Sequence, residues 1–199
     1  MEMLDKFYNL EEEKQLRIIN GAMKEFQYGY KKANTNVIVA EAGISKGLLF
    51  HYFGNKEQLF IFLLELTSKL MDEDFSKFVQ GGKQDILDVF LQYTQKRYDM
   101  SQRYPYLDAF IAGLYTHWSD APVSKALAAF EKEQVSAYED FYDYCDESLF
   151  RADIDVRKAI DIIIFVMEGL FEEHAVDEQE RFMEKVQAYL EILRKTLYQ

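Results

Sequence analysis

Residues 33 to 56, ANTNVIVAEAGISKGLLFHYFGNK, constrain this chain more than any other stretch, because two short helical patterns meet there at a single glycine, Gly43. The first pattern, from about Thr35 to Ala42, puts Ile38 and Ala42 on one face at i, i+4 spacing. It ends at Gly43, since glycine enters a left-handed turn without steric cost. Ile44 then fills the space between the helices. Ser45 is placed to cap the second helix by accepting from an otherwise orphan backbone N–H, and Leu49 and Phe53 repeat toward the core. This is the written form of a helix-turn-helix. Lys46, Gly47, Leu48, Phe50, His51 and Tyr52 are left for its outer face.

Two residues sit badly for a purely structural helix. Gly47 lies in the first turn, where glycine costs roughly 1 kcal/mol against alanine, so its presence implies that something approaches the backbone closely. Asn55 and Gln58 have the spacing of a capping box that opens the next helix. Lys56 then falls in a first turn, where a cation opposes the helix dipole by about 0.3 to 1 kcal/mol. Either it is a solvated side chain, or it and the free N–H groups hold an anion such as a DNA phosphate.

From about Leu16 to Leu63 the chain resembles the N-terminal DNA-binding domain of the TetR family of bacterial transcription regulators. The resemblance rests on IINGAMKEFQYGY, on AEAG, and above all on GISKGLLFHYFGNKEQL, in which turn, recognition helix and the opening of the next helix follow without gaps. About a quarter of the chain carries the match. The resemblance implies that Lys46 and Gly47 meet DNA at the start of the recognition helix, with Ser45 beside them. It further implies that Leu48, Phe50, His51 and Tyr52 face the major groove or its flanking phosphates. Lys56 would meet a phosphate, and Thr35 and Asn36 would add contacts from the preceding helix. Leu48 departs from the small polar residue common at its position; it can pack on a thymine methyl but cannot hydrogen-bond a base.

Charge bears on this because a formal net value of −12 opposes binding to DNA when taken as a whole. It is unevenly placed: residues 1–72 hold 9 basic and 10 acidic residues, and residues 73–199 hold 14 and 25. Within 31–56, Lys31, Lys32, Lys46 and Lys56 face Glu41 alone. The acidic remainder confines DNA contact to one end of the molecule.

The expected fold is all-α, with a helix-turn-helix domain at residues 1–55 joined through a shared helix to a larger helical domain at 56–199. A hydrophobic content of 49% with only two prolines suits this class. Leu16, Ile19, Met23, Phe26 and Tyr30 form the stripe of the first helix. Later helices are predicted at about 56 to 75 or slightly beyond, 84–102, 106–117, 122–149, 155–174 and 178–197, with a break at Gly81-Gly82. No apolar run is long enough to span a bilayer and the N-terminus does not read as a signal peptide, so no membrane partner and a cytoplasmic location are expected. The single Cys145 reads as a small buried apolar residue.

Two apolar faces near the C-terminus carry the oligomer signal. Ile160, Ile163, Met167, Leu170 and Phe171 form one; Phe182, Val186, Tyr189 and Leu193 form the other. In the family such helices pair with their twins across a two-fold axis, which implies a homodimer reading a palindromic operator on double-stranded DNA. The aromatic-rich middle of the chain is expected to hold a small hydrophobic or amphipathic effector, with Tyr93, Tyr115, His117, Trp118 and Glu168 as candidate contacts. The surrounding acidity raises a lipophilic cation as one choice, and an acyl or other greasy molecule as another.

Catalysis is not expected. Gly43-Ile44-Ser45-Lys46-Gly47 matches the G-x-S-x-G of hydrolases, but that chemistry needs a strand entering the turn. His51, His117 and His174 are too widely spaced for a local metal motif, and neither a phosphate loop nor a dinucleotide fingerprint is present, so neither metal nor cofactor is called for. The expectation is a ligand-responsive DNA-binding regulator, most simply a repressor released by its effector. A helical ligand-binding protein of the same fold that does not read DNA is the alternative.

Overall fold

The computed structural model describes residues 2–78, 82–116, 126–128, 130, 142–174 and 179–199. Nine longer helices are described: α1 (Glu2–Tyr8), α2 (Glu12–Phe26), α3 (Thr35–Ala42), α4 (Lys46–Phe53), α5 (Lys56–Phe78), α6 (Ile86–Arg103), α7 (Leu107–Thr116), α8 (Val156–His174) and α9 (Gln179–Leu197). A 3-10 turn covers Glu147–Leu149. Among the described residues there are only two isolated β-bridges and no strand, and no helix is long and apolar enough to cross a membrane. The chain divides into two compact units, Met1–Leu70 with Met100–Glu133, and Met71–Asp99 with Gln134–Gln199.

The first unit is built on α2. Ile18, Ile19, Ala22, Met23 and Phe26 are buried along one side, at the three- and four-residue spacing of an amphipathic helix. The predicted stripe runs on to Tyr30, but the helix stops at Phe26 and Gly29 takes a φ of 95°. Tyr30 keeps its place in the core from outside the helix, its ring 6.0 Å from Phe26 and 5.5 Å from Phe60. Helix α3 lies over Gly21, where a Cβ would stand 3.5 Å from the Ile38 carbonyl oxygen. On another side α7 comes closer still: a Cβ on Gly113 would lie 2.2 Å from the oxygen of Gln27, so only glycine fits there. Asn20 Nδ2 donates to the Arg103 carbonyl at 3.0 Å, and Arg103 pairs with Glu12.

Helix α1 is not among the predicted elements. Its Phe7 is completely buried in this unit, and Gln15 on α2 fastens the connection by donating to the carbonyls of Leu10 (2.7 Å) and Tyr8 (3.1 Å).

The second unit packs α6, α8 and α9 around Leu87, Phe90, Tyr98, Ile163, Met167, Phe182 and Val186. The helix predicted over 122–149 does not reach its expected end. Residues 144–146 pair instead with Gln84, through Gln84 N–H to the Tyr144 carbonyl (2.7 Å) and Asp146 N–H to the Gln84 carbonyl (2.8 Å). Asp146 then accepts from the Ser148 N–H at 3.1 Å, and this local bond competes with helix continuation. Cys145 is fully buried at this junction, and desolvation pushes its thiol up to about 11. The C-terminal residues close the unit. Arg194 pairs with Asp85 and Asp88, Tyr198 donates to Asp85 at 2.7 Å, and Arg151 N–H meets the Leu197 carbonyl at 3.0 Å.

One set of expectations needs correction here. Ile160, Ile163, Met167, Leu170, Phe171, Phe182 and Val186, read from sequence as a face toward a partner, lie inside this unit's own core at 6% exposure or less. Of that list only Tyr189, at 42% exposure, and the half-buried Leu193 reach the surface. The outward apolar residues are others: Ile162 and Phe165 on α8, and Ile192 beside Tyr189 on α9. The reason is that the apolar residues of α8 spread over an arc wider than the core covers, with Arg157, Asp161 and Glu168 gathered on the remaining side, so spacing alone does not say which part of that arc meets α6 and α9 and which is left over.

Candidate nucleic-acid interface

The helix-turn-helix is assembled from local bonds that the sequence encodes. Asn34 caps α3 by accepting from the Asn36 N–H at 2.9 Å, and Gly43 ends it in the left-handed region with φ 65° and ψ 36°. Ser45 caps α4 by accepting from the Leu48 N–H at 3.1 Å, which occupies the hydroxyl that a nucleophile elbow would expose. The turn joins two helices rather than a strand and a helix. Gly54, with φ 77°, ends α4, and Asn55 caps α5 by accepting from the Gln58 N–H at 2.9 Å.

Helix α4 buries Leu49, Tyr52 and Phe53 on one arc and turns the opposite one outward. Lys46, Gly47 and His51 are exposed, and Leu48 and Phe50 are half-buried at its margins. Lys46 Nζ donates to Asn36 Oδ1 at 3.1 Å, tying the start of α4 to the start of α3, and stands 5.9 Å from the Phe50 ring centroid. A Cβ on Gly47 would meet nothing closer than Ser45 Oγ at 4.0 Å. Internal packing therefore does not demand this glycine. Glu41, the one acid of residues 31–56, is engaged by Lys24 Nζ at 2.6 Å, a hydrogen bond that also raises the pKa of the Lys24 ammonium.

Three expected contacts are placed differently. Tyr52 is 6% exposed, with its ring against Phe7 and Phe53, because it stands only about 60° around the helix from Leu49. Thr35 is also buried, sharing the inner side of α3 with Ile38 and Ala42 at i, i+3, i+7 spacing. Lys56 has an internal role: its Nζ donates to the Ala33 carbonyl at 2.6 Å and lies 4.8 Å from the Tyr30 ring centroid. A cation in the first turn of α5 is thus held by the loop before α3 and by an aromatic face. Asn36 and Ser45 remain exposed at the two helix starts.

This arrangement coincides with a known family. The model of the bacterial regulatory proteins of the tetR family matches residues 18–62, the segment that holds α3, α4 and the start of α5. Over that segment the chain is similar to the TetR family. A curated relative is the HTH-type transcriptional repressor AcnR of Corynebacterium efficiens, 32% identical over 83 residues, which are 41% of this chain and 42% of that protein. The match thus spans less than half of that relative's length. Among solved structures, the TetR-family regulator PfmR from Thermus thermophilus shares the fold at 18% identity, with a TM-score of 0.65 over 90% of this chain and 97% of that one. FadR from Bacillus subtilis, solved in complex with stearoyl-CoA, does so at 17% identity and a TM-score of 0.56 over 89% and 96%.

The five candidate effector residues are not gathered by the described structure. His117 and Trp118, and the side chain of Tyr115, lie outside the described residues. Tyr93 is half-buried against the core of the second unit, and Glu168 Oε1 is 2.8 Å from Nη1 of Arg97. Arg97, which sequence reasoning passed over, also lies 4.1 Å from the Phe171 ring centroid and is only 11% exposed at its side chain. A groove of 570 Å³ between α6 and α9, lined by Leu91, Gln92, Gln95, Lys96, Asp99, Met183 and Gln187, contains none of the five.

Proposed function

We infer that this chain is a TetR-family DNA-binding transcription regulator that acts as a homodimer on a palindromic operator. The observation that carries the reading is the outward arc of α4. Lys46, Gly47, Leu48 and His51 stand together there, within the stretch 31–56 where four lysines face Glu41 alone, and Gly47 serves no internal packing. A bare backbone in the first turn suits close approach to a phosphate or a base edge. Asn36, Ser45 and the half-buried Phe50 complete the surface, while Thr35, Tyr52 and Lys56 support it from within.

Selection of bound duplexes from a random pool, repeated over a series of salt concentrations, tests this directly. The expected outcome is one enriched palindrome whose affinity falls steeply with salt. Binding without sequence preference, or none at all, would leave only a helical protein of this fold that does not read DNA.

A dimer is supported by the surplus apolar arc formed by Ile162 and Phe165 on α8 and by Tyr189 and Ile192 on α9. Large apolar side chains left exposed together on neighbouring helices suit a protein contact. Phe165→Asp combined with Ile192→Asp is expected to halve the mass measured by sedimentation.

A repressor is the simplest form of regulator here, in keeping with the name of AcnR. The effector is small and hydrophobic or amphipathic, the class to which the stearoyl-CoA bound by the Bacillus subtilis FadR belongs. Glu168, the one acid among the five candidate contacts, is already paired with Arg97, which weakens the case for a cationic effector. Effector binding would favour a state in which α5, which begins directly after the recognition helix and contributes to both units, holds α4 away from its match to successive major grooves.

A further inference from the structure

Helix α1 precedes the segment matched by the family model, which begins at residue 18, and the helix-turn-helix by itself makes no use of it. Yet Phe7, completely buried, sits beneath the recognition helix. Its ring centroid is 5.0 Å from that of Phe53, 6.2 Å from that of Tyr52 and 5.3 Å from that of Phe62 on α5. Tyr52 and Phe53 are the last two residues of α4 and, with Leu49, make up its buried face. An eight-residue helix has little stability of its own, so its direction is set by what its buried side chains rest on. Two of those three rest on Phe7.

Helix α1 is also held in place. Asn9 N–H donates to the Asp5 carbonyl and Leu10 N–H to the Phe7 carbonyl, each at 3.1 Å, and Gln15 clasps the turn that follows. Leu4 and Leu10 pack against the same core. With Glu2 and Asp5 against Lys6, the helix is not a basic arm for phosphates, and its contribution has to come through packing.

We propose that α1 is part of the DNA-reading unit and that Phe7 is a positioning residue for the recognition helix, fixing the tilt at which α4 presents Lys46, Gly47, Leu48 and His51. This rests on the regulator reading above. A misplacement of α4 removes contacts to the correct bases, while attraction to phosphates is largely insensitive to it. The signature is therefore a loss of discrimination rather than of affinity in general.

The test uses the full chain, the duplex most enriched by the wild type from a random pool, and a base-scrambled duplex of equal length. Phe7→Ala is expected to lower the ratio of the two affinities about tenfold, and Phe7→Leu to lower it by less. Ile86→Ala, which hollows the core of the other unit, should keep the wild-type ratio. A fall in folded fraction scales both affinities alike and leaves the ratio unmoved. Should Phe7→Ala fail to fold, Phe7→Leu carries the test, with a loss of about threefold and faster amide exchange across residues 49–53. A wild-type ratio in the folded Phe7 variant, or an equal loss in Ile86→Ala, overturns the proposal. Absence of selective binding by the wild type would strike the regulator reading and this proposal together, a result visible before any variant is made.

Discussion

Helices α4 and α8 place their apolar residues under different demands. Helix α4 is eight residues long, buries Leu49, Tyr52 and Phe53 on a single arc, and leaves the rest of its surface to Lys46, Gly47 and His51, with Leu48 and Phe50 half-buried at the margins. Helix α8, at 19 residues, buries Ala159, Ile160, Ile163, Met167, Leu170 and Phe171 and still exposes Ile162 and Phe165, the latter at 74%. One core is enough to account for every apolar residue facing inward on α4. On α8 it is not, and the surplus is what a second copy of the chain is proposed to cover. The difference teaches that apolar excess, rather than apolar spacing, marks a surface meant for a partner.

The sharpest way to break this contrast is to truncate both arcs of α8. Ile163→Ala should lower the unfolding free energy by about 2–5 kcal/mol, through lost burial and the cavity left behind. Phe165→Ala should change the stability of the isolated chain by about 0.5 kcal/mol at most. Urea titration at low protein concentration reads both, and equal losses would erase the distinction between an inner and an outer stripe.

On the α4 side, Lys56→Ala should cost about 1.5–3 kcal/mol, the range for a hydrogen bond from a charged group, since Ala33 then loses its donor. Were Lys56 only a phosphate contact, thermal stability would stay at the wild-type value and DNA affinity alone would fall. Ser45→Ala should cost about 1 kcal/mol as a lost N-cap, and Ser45→Asp should recover most of it, because aspartate also accepts from the Leu48 N–H. An uncapped α4 that is no less stable would show that packing on Leu49 and Phe53 suffices.

The smallest effect is a pH dependence centred on Asp85 and Tyr198 of the second unit. Burial pushes the Asp85 carboxyl up, but the hydrogen bonds from Arg194 and Tyr198 and the Arg194 charge outweigh it, leaving it below its ordinary 3.8. Its contribution to stability is therefore complete above that value and is lost as pH falls through the lower folded one. Burial and the Asp85 hydrogen bond raise the Tyr198 phenol above its ordinary 10.0, so its contribution is complete below 10.0 and fades as pH rises further. Denaturant midpoints measured across pH should show a plateau between these limits, and Asp85→Asn should shrink the acid limb.

Much of the reading surface was legible because its determinants are local. Gly43 in its left-handed turn, the caps at Ser45 and Asn55, and the inward Ile38, Ala42, Leu49 and Phe53 each follow from a few neighbouring residues. Tyr52 escaped because it lies near the edge of the inner arc, and only the presence of Phe7 decides that it is covered. Helix α1 escaped because seven residues carry too little periodicity to announce themselves. Lys56 was seen as out of place, correctly, but its partner is a carbonyl 23 residues earlier.

By itself, then, the sequence determined the all-helical class and the helix-turn-helix with its caps and turn, since short-range bonding and helical periodicity suffice for both. Only the tertiary structure decided which apolar arcs of α8 and α9 are interior, that Glu168 answers to Arg97, and that Phe7 lies beneath the recognition helix. Those outcomes depend on contacts between residues far apart in the chain. A helix with a wide apolar arc leaves such contacts undetermined until its neighbours are in place.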